Sequence, residues 1–437
     1  MVEPRILKGF RDYLPDDMLP RQRMLQALEG VFRDFGFLPL MTPALEYAEV
    51  LLGKYGDEGD NLLYRFLDNG DRDVALRYDL TVPLARVVAQ YGDLPRPFRR
   101  YQMAPVWRAE KPGRGRFREF MQCDGDIIGS DDCIADAEIM QLGAAMIASL
   151  GVRNFSIRFN NRKVLTGLLA RVGIAEGEAE MGVLRTIDKL PKIGEQKTRE
   201  LLRKDNGLDD SRMDPIFEFL NLEGDTRELI TERLPAMFED GSIGALGVQE
   251  LRQVFDFLSA AGLDDRVELD LSIARGLNYY TGTIYETFLT DLDGFGAVMS
   301  GGRYDGLIGV FSKKDVPGVG ISLGIDRLLA GLRELDVLGG EGVPAPVLMT
   351  IFDSDSVGTS VSVAARLRAS GVGCELYPQV AKLKKQLGYA ERVGKRFAVI
   401  VGPDEAAKDV AQVKDLAERA QQEVSLDDLA AVIRDKI

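Results

Sequence analysis

The segment YQMAPVWRAEKPGRGRFREFMQCDGDIIG, residues 101–129, constrains the fold more than any other part of the chain. Two strand-like runs flank KPGRGR, a short tip that contains two glycines and three basic residues. Runs of this kind, joined by a short glycine-containing connection, are typical of antiparallel hairpins. The sequence therefore predicts a long hairpin with a mobile loop at its tip.

Charged and polar side chains share one face of each predicted hairpin strand. Because side chains alternate along a strand, Arg108 and Glu110 fall on one face of the first run. Four side chains of the second run share a face: Phe120, Gln122, Asp124 and Asp126. A buried arginine among acids and an amide suits a ligand with a phosphate or carboxylate group, and it also suits structural ion pairs. Both interpretations remain open from the hairpin alone.

The chain has the size and composition of a soluble protein with two or three domains. It has 437 residues, of which 45% are hydrophobic. The first twenty residues lack the apolar core of a signal peptide, and the sequence has no apolar run long enough to span a bilayer. We therefore expect a cytoplasmic location and no membrane partner.

The sequence contains no histidine, so no imidazole of this protein can act as a base, nucleophile or metal ligand. The three cysteines, Cys123, Cys133 and Cys374, have neither disulfide-framework nor zinc-ligand spacing, and we predict no metal site. Any chemistry must depend on carboxylates, arginines, tyrosines or substrate positioning.

Basic residues are concentrated in two patches although the net charge is −14. Residues 96–118 contain eight basic side chains and one acid, Glu110. The second patch comprises Lys382, Lys384, Lys385, Arg392, Lys395 and Arg396. Two separate patches on an acidic chain suggest a polyanion bound at two places, whereas either patch alone is more simply explained as a solvated face.

Changes of pattern along the chain predict five segments. Residues 1–166 and 259–338 carry the strand-like runs of one domain, and residues 167–258, which are charged and helical, interrupt it as an insertion. Residues 339–346, rich in glycine and proline, read as a linker. Residues 347–437 alternate strand and helix, which predicts a small α/β domain with mostly parallel strands.

Several weak motifs become specific when they are taken in order. No phosphate-binding loop of the GxxxxGKS/T type is present, and GVGISLG alone reads as a tight packing turn. In sequence order, however, RYDLTVPLAR, WRAEKPGRGRFREFMQCD, ARGLNYYTG, SGGRYDGL and GISLGIDR resemble the signatures of the class II aminoacyl-tRNA synthetases, and within that class the histidyl-tRNA synthetases. KLKKQLGYAERVGKRFAVIVG is similar to the anticodon-binding domain of that family.

The resemblance implies a fold and an activity. The fold is an α+β catalytic domain with an antiparallel sheet flanked by helices, a helical insertion, and a C-terminal α/β anticodon-binding domain. The activity is ATP-dependent formation of histidyl-adenylate, followed by transfer of histidine to tRNA(His). ATP would act as a substrate accompanied by Mg²⁺, and the enzyme would be a homodimer built on the first helix and strand.

Carried over residue by residue, the resemblance also implies a histidine site. Asp79 and Thr81 would hold the amino group, and Arg108 would lie against the carboxylate and the α-phosphate, with Arg275 as the second catalytic cation. The other implied positions are Gln122, Asp126, Tyr279 and Tyr280. Neighbouring residues of a regular strand face opposite sides, so we expect Tyr280 to meet the imidazole, and Tyr279 only if Gly276 distorts the strand.

The implied ATP and tRNA sites lie on the hairpin, the glycine-rich strands and the C-terminal domain. Adenine would lie between Phe120 and Arg327, with Glu110 beside the nucleotide. The other implied ATP-binding residues are Arg108, Arg116 and Arg303. The implied tRNA-binding residues are Lys111, Arg114, Lys382, Lys384 and Lys385.

Two further points follow from the resemblance. The family's hairpin loop carries a glutamine that this chain replaces within KPGRGR, so recognition of the tRNA acceptor end is expected to differ.

The alternative function is that of a catalytically silent, histidine-sensing regulatory subunit of ATP phosphoribosyltransferase. Such paralogues usually lack the C-terminal domain and lose synthetase arginines, whereas this chain keeps Arg108, Arg275 and Arg327.

Overall fold

The computed structural model describes residues 2–113, 116–274, 279–337 and 343–436, without the side chains of residues 57 and 58. The chain divides into two compact units, Met1–Leu338 and Gly339–Ile437. Among the described residues, no helix is long and apolar enough to cross a membrane.

The first unit is built on a large mixed sheet and a small second sheet. Its strands are β1 (Leu38–Pro39), β2 (Leu45–Tyr47), β3 (Arg65–Leu67), β4 (Asp73–Leu76), β5 (Phe98–Trp107), β6 (Glu119–Ile128), β7 (Phe155–Asn161), β8 (Val267–Leu269), β9 (Thr283–Leu289), β10 (Met299–Arg303) and β11 (Gly318–Gly324). The main sheet has the order β1-β5-β6-β11-β10-β9-β7-β8, and the small sheet has the order β2-β4-β3. The strands from β5 to β7 in that order pair antiparallel, and the edge strands β1 and β8 pair parallel to their neighbours.

The predicted hairpin lies between β1 and β11 in the main sheet. Strands β5 and β6 pair antiparallel from Phe98↔Ile128 to Trp107↔Glu119. The first strand ends at Trp107, three residues before Glu110, which the sequence pattern placed on the strand together with Arg108. The hairpin prediction is therefore confirmed, while Arg108 and Glu110 lie just beyond the strand.

Helices cover the main sheet and form the middle of the chain. They are α1 (Pro15–Asp34), α2 (Ala48–Leu51), α3 (Gly56–Asp60), α4 (Thr81–Gln90), α5 (Cys133–Ser149), α6 (Arg162–Arg171), α7 (Glu178–Ile187), α8 (Leu190–Asn206), α9 (Asp210–Leu220), α10 (Thr226–Glu228), α11 (Ile243–Ala260) and α12 (Ile325–Glu334). Helix α5 begins where the Asp132 side chain accepts a hydrogen bond from the Ile134 N–H, and buried residues occur around its circumference because it packs against both α1 and the sheet. Side chains of α6 to α11, such as Leu168, Phe217 and Leu251, belong to the same hydrophobic core as the sheet.

The segment SIARGLNYYTG differs from its predicted strand conformation. Residues 275–278 lie outside the described residues, and Tyr279 and Tyr280 are in a turn and an irregular segment before β9 begins at Thr283. The alternation rule for a regular strand therefore does not apply to the two tyrosines. Their rings contact each other edge to face, with centroids 5.1 Å apart.

The second unit is a small α/β domain whose sheet is mixed. Its elements are β12 (Val347–Met349), α13 (Val357–Ala369), β13 (Cys374–Leu376), α14 (Leu383–Arg392), β14 (Phe397–Ile400), α15 (Pro403–Ala407), β15 (Val410–Asp415), β16 (Ala420–Ser425) and α16 (Leu429–Arg434). Strands β13, β12 and β14 are parallel, as predicted, but β15 and β16 add an antiparallel hairpin. The alternating burial of VAQVKD was the available signal for that hairpin.

Candidate active site

A cavity of about 490 Å³ opens over the face of the sheet formed by β6, β11, β10 and β9. Side chains from the hairpin, from the segment before α4 and from the turn before β9 converge on it. Ten of the residues that the sequence analysis selected line it: Asp79, Thr81, Arg108, Glu110, Arg116, Phe120, Gln122, Tyr279, Tyr280 and Arg327. The cavity combines carboxylates, guanidinium groups and aromatic rings, which suits a ligand with both anionic and cationic groups.

Asp79 supplies a buried carboxylate at the α4 side of the cavity. Its Oδ1 accepts hydrogen bonds from the Tyr55 hydroxyl (3.0 Å) and the Val82 N–H (3.1 Å). Within the described part of the chain, its Oδ2 has no hydrogen-bond partner. Burial raises the pKa of Asp79, and the hydrogen bonds from Val82 and Tyr55 oppose that rise. The remaining oxygen can therefore accept from a cationic donor, such as an ammonium group.

Thr81 and the two tyrosines form the neighbouring wall. Burial raises the pKa of Tyr279 and Tyr280, and the neighbouring Thr81 side chain partly opposes the rise at Tyr279. Both phenols are therefore neutral hydrogen-bonding groups near neutral pH. Tyr279 and Tyr280 both line the cavity because neither lies in a strand.

Arg108 lies between two aromatic rings at the mouth of the hairpin. Its guanidinium is 4.3 Å from the Tyr78 ring centroid and 5.1 Å from the Phe120 centroid, and its Nε donates to the Tyr78 carbonyl at 3.1 Å. This contact uses one nitrogen and fixes the plane of the group. A cation held in this way can bind a carboxylate or phosphate with little loss of side-chain entropy.

Asp126, an expected substrate-binding residue, is not among the residues that line the cavity, and its carboxylate is paired within the protein. Its Oδ2 forms a 2.6 Å ion pair with Arg100, and its Oδ1 accepts a hydrogen bond from the Tyr304 hydroxyl. A methyl group at Gly320, on the adjacent strand β11, would overlap Asp126 Oδ1, so glycine is required there. Asp126 is nevertheless near the cavity-lining Tyr280: burial raises the pKa of that phenol, and the Asp126 charge raises it further.

Arg303, an expected ATP-binding residue, is not among the residues that line the cavity, and its guanidinium is bonded within the protein. Its Nε donates to both oxygens of Asp136, at 3.2 and 3.1 Å, and its Nη2 also donates to Asp136. Its Nη1 donates to the Ser130 carbonyl at 2.9 Å and to Asp305. These contacts attach the end of β10 to the start of α5, so Arg303 has a structural role.

Asp326 connects the nucleotide side of the cavity with the N-terminal segment, a connection that the sequence analysis missed. Its carboxylate accepts from Arg11 (2.8 Å), from Tyr13 (2.5 Å), from Arg21 and from the Met121 N–H (2.9 Å). Burial alone would raise the pKa of Asp326, but these donors bring it below its ordinary value. The carboxylate precedes Arg327 at the start of α12, so it fixes the helix end that carries this arginine.

The hairpin tip is only partly described. Arg116 and Glu110 form a 3.9 Å ion pair at the cavity entrance, while Lys111 is exposed and does not line the cavity. Arg114 of the tip and Arg275, the second expected catalytic cation, lie outside the described residues.

The basic patch of the second unit separates into exposed and paired members. Lys382, Lys384 and Lys385 are exposed at the start of α14. Lys395 is instead buried against Glu375, at 2.6 Å, and Arg396 pairs with Asp415 at 3.0 Å. The exposed lysines are thus the members of the patch best placed to bind a polyanion.

Comparison with known families accounts for this combination of sheet, cavity and second unit. Residues 9–328 match the family model for histidyl-tRNA synthetase. The chain belongs to the histidyl-tRNA synthetase family. Residues 347–436 match the model for an anticodon-binding domain, which covers the β12–α16 unit.

Full-length relatives support membership of the histidyl-tRNA synthetase family. The histidine–tRNA ligase of Rhodopirellula baltica is 45% identical over 427 residues, which cover 97% of this chain and 96% of the relative. The histidine–tRNA ligase of Cytophaga hutchinsonii is 40% identical and covers 98% of this chain and 99% of the relative.

Solved structures agree with the fold of the histidyl-tRNA synthetase family. The crystal structure of histidyl-tRNA synthetase from Nostoc sp. PCC 7120 has a TM-score of 0.88 and 34% identity, and covers 100% of both chains. A Bacillus halodurans structure described as an ATP phosphoribosyltransferase regulatory subunit/histidyl-tRNA synthetase has a TM-score of 0.75 at 24% identity, covering 89% of this chain and 97% of that one. At that identity the likeness concerns the fold alone.

Proposed function

We propose that this protein is a histidine–tRNA ligase, which activates L-histidine with ATP and transfers it to tRNA(His). The observation that carries the proposal is the cavity, where a buried carboxylate, a fixed arginine and paired tyrosines meet in a chain of this family. The same residues could bind an amino acid at its ammonium group, its carboxylate and its side chain.

The amino acid occupies the inner end of the cavity in this proposal. Asp79 Oδ2 and Thr81 receive the ammonium group together with Gln122, and Tyr280 meets the imidazole. Tyr279 holds Thr81 and closes the wall. A site that hydrogen-bonds the polar atoms of its substrate rejects analogues that lack them.

ATP occupies the outer end, over the hairpin. Phe120 and Arg327 present a ring and a guanidinium plane to adenine, and Arg116 lies at the entrance to meet the outer phosphates. Mg²⁺ arrives with the nucleotide as part of the substrate. Glu110 and Glu286 line the cavity and offer the carboxylate oxygens that Mg²⁺ prefers.

The first reaction is an attack of the histidine carboxylate on the α-phosphorus of ATP. The new bond joins a carboxylate oxygen to phosphorus, the α,β-bridging bond breaks, and pyrophosphate leaves with its electron pair. Histidine's carboxylate is already ionised, so no protein base is required. Arg108, with Arg275, holds the carboxylate and the α-phosphate in line and stabilises the charge that develops.

In the second reaction a hydroxyl of the 3′-terminal ribose of tRNA attacks the carbonyl carbon of histidyl-adenylate and forms an ester bond. The bond from that carbon to the phosphate oxygen breaks, and AMP leaves with the electron pair and takes up the hydroxyl proton. We assign tRNA contacts to Lys111 and Arg114 of the hairpin tip, and to Lys382, Lys384 and Lys385 on α14. Exposed lysines suit phosphate contacts, because each releases condensed counterions from the nucleic acid.

A homodimer accompanies this function. Apolar side chains are exposed around the small sheet and the parallel edge of the large one, including Leu38 (63% exposed) and Met41 (71%). Further members of this surface are Leu45, Tyr47, Phe66 and Leu67. A second copy would bury it, and analytical ultracentrifugation would detect the dimer. A cytoplasmic location stays a prediction from the sequence.

Histidine-dependent exchange of labelled pyrophosphate into ATP tests the activation step directly. The pure protein is expected to catalyse exchange with histidine and none without it. The proposal would be supported if the wild-type protein catalyses the exchange and the Arg108→Ala variant does not, while the variant keeps the thermal stability of the wild type. A pure protein without exchange would instead favour the histidine-sensing regulatory subunit.

A further inference from the structure

The two ends of the Gln122 amide have different surroundings. Nε2 donates to Ser322 Oγ at 2.8 Å, and both residues line the cavity. In the described part of the chain, Oε1 is buried without a hydrogen-bond partner. This orientation leaves the amide oxygen for a ligand donor, and an ammonium group is such a donor.

Ser322 has a single hydroxyl proton, and its direction decides how the amide is held. Because Ser322 Oγ accepts from Gln122, its proton can be donated elsewhere. Asp124 is directly opposite Ser322 across β6 and β11. Residues directly opposite each other on antiparallel strands have their side chains on the same face of the sheet, so Ser322 and Asp124 are neighbours. Neither Asp124 oxygen has a hydrogen-bond partner among the described residues, so both oxygens can accept from a hydroxyl that turns toward them.

Asp124 is a buried carboxylate that makes no direct contribution to the cavity wall. Its side chain faces Ser322 of β11, Arg100 of β5, Asp126 of its own strand and Asp79 from the segment before α4. Burial is the main cause that raises the pKa of Asp124 to about 7; Arg100 and Ser322 oppose the rise, and Asp126 and Asp79 add to it. A buried acid at this position destabilises the fold, so its presence calls for a functional explanation.

Resting on the proposed function, we propose that Asp124 and Ser322 are positioning residues that orient the Gln122 amide with its oxygen toward the substrate's ammonium group. In this proposal Gln122 Nε2–H donates to Ser322 Oγ, as the structure shows, and the Ser322 O–H turns to donate to Asp124, whose oxygens have no hydrogen-bond partner among the described residues. Above pH 7 the Asp124 carboxylate is mainly ionised and can only accept, so at such pH values it sets the direction of the whole chain. In the opposite direction, Gln122 would present its N–H groups to the ammonium group and repel it.

The direct consequence is selectivity for a substrate with an ammonium group. Imidazole-4-propionate has the imidazole and carboxylate of histidine and lacks the ammonium group. We expect Ser322→Ala, which frees the amide to turn, to weaken histidine binding about 10- to 100-fold. Its affinity for imidazole-4-propionate is expected to stay unchanged.

Matched variants separate orientation from simple packing. Ser322→Thr keeps a hydroxyl and is expected to recover the preference for histidine. Asp124→Asn offers Ser322 a hydrogen-bond donor as well as an acceptor, so it no longer fixes the direction of the Ser322 hydroxyl. The preference for histidine over imidazole-4-propionate is therefore expected to fall. Titration calorimetry of the full chain with each ligand gives both dissociation constants, and thermal unfolding checks that each variant is folded.

Three results would overturn the inference while leaving the proposed function intact. They are an equal loss of affinity for both ligands, a Ser322→Thr variant as impaired as Ser322→Ala, or an unchanged preference in both Ser322→Ala and Asp124→Asn. The proposed function fails by a different result, the absence of histidine-dependent pyrophosphate exchange in the wild-type protein.

Discussion

Replacement of Asp124 by asparagine is expected to stabilise the protein at alkaline pH. Asp124 is 1% exposed, and burial, the largest cause, raises its pKa from 3.8 to about 7. Above pH 7 the folded state contains a buried charge that the unfolded chain would expose to water. An asparagine at this position keeps the shape of the side chain without that charge, so the variant avoids this cost.

The sign and size follow from proton binding. Between pH 4 and 7 the folded state holds a proton on Asp124 that the unfolded chain has lost. The contribution of Asp124 to the free energy of unfolding is therefore complete below about pH 4. It is lost as the pH rises through about 7. The shift of about 3 pKa units corresponds to about 4 kcal/mol over the full range. Between pH 5 and pH 9 the difference amounts to about 3 kcal/mol.

Thermal unfolding of the wild type and the Asp124→Asn variant at pH 5 and pH 9 measures the effect. The change in Tm caused by the substitution should be more positive at pH 9 by several degrees. Packing differences are present at both pH values, so the comparison at pH 5 is the matched control. The same change in Tm at both pH values, or a larger stabilisation at pH 5, would refute the buried-charge argument.

Three further predictions concern other parts of the molecule. Asp326→Asn leaves the buried arginine that it holds unpaired, so the free energy of unfolding should fall by about 3 to 5 kcal/mol, as measured by denaturant titration. Arg108→Lys should lower the rate of pyrophosphate exchange about 10²- to 10³-fold with little change in Tm. Arg303→Lys should instead lower Tm and leave the KM for ATP unchanged. Equal kinetic losses in the two variants would contradict the different roles of these arginines. Lys384→Glu should weaken tRNA binding and reduce the salt dependence of that binding by roughly one phosphate contact, without affecting pyrophosphate exchange. The control is Lys408→Glu, the same change at another exposed lysine of this unit. It should leave tRNA binding and pyrophosphate exchange unaltered.

The hairpin and most of the cavity could be predicted because their signals are local. Period-two alternation and the glycine-containing tip identify β5 and β6, and the faces of these strands follow from the same rule. Gln122 and Phe120 reach the cavity for this reason. Asp79 and Arg108 came from motif resemblance, and both also line the cavity.

The failures have tertiary causes. Arg303 resembles a phosphate-binding arginine in sequence, but its partner Asp136 is 167 residues away, and no local pattern indicates that pair. The contact between Arg21 and Asp326 spans 305 residues. Strand alternation failed for Tyr279 and Tyr280 because both residues lie outside regular β-structure, before β9 begins, so adjacent side chains can line one cavity.

Asp124 links stability with selectivity in a way that distinguishes a functional acid from a structural one. An acid retained for structure would lower stability when it is neutralised, because its hydrogen bonds would be lost. An acid retained to orient Gln122 through Ser322 should do the opposite: neutralisation relieves a buried charge and raises Tm at pH 9, yet it removes the preference for histidine over imidazole-4-propionate. If Asp124→Asn raises Tm at pH 9 and also loses the preference for histidine, stability and selectivity change in opposite directions in one variant. That result would show that the protein keeps this charge at a cost in stability because the charge is needed to recognise the substrate's ammonium group.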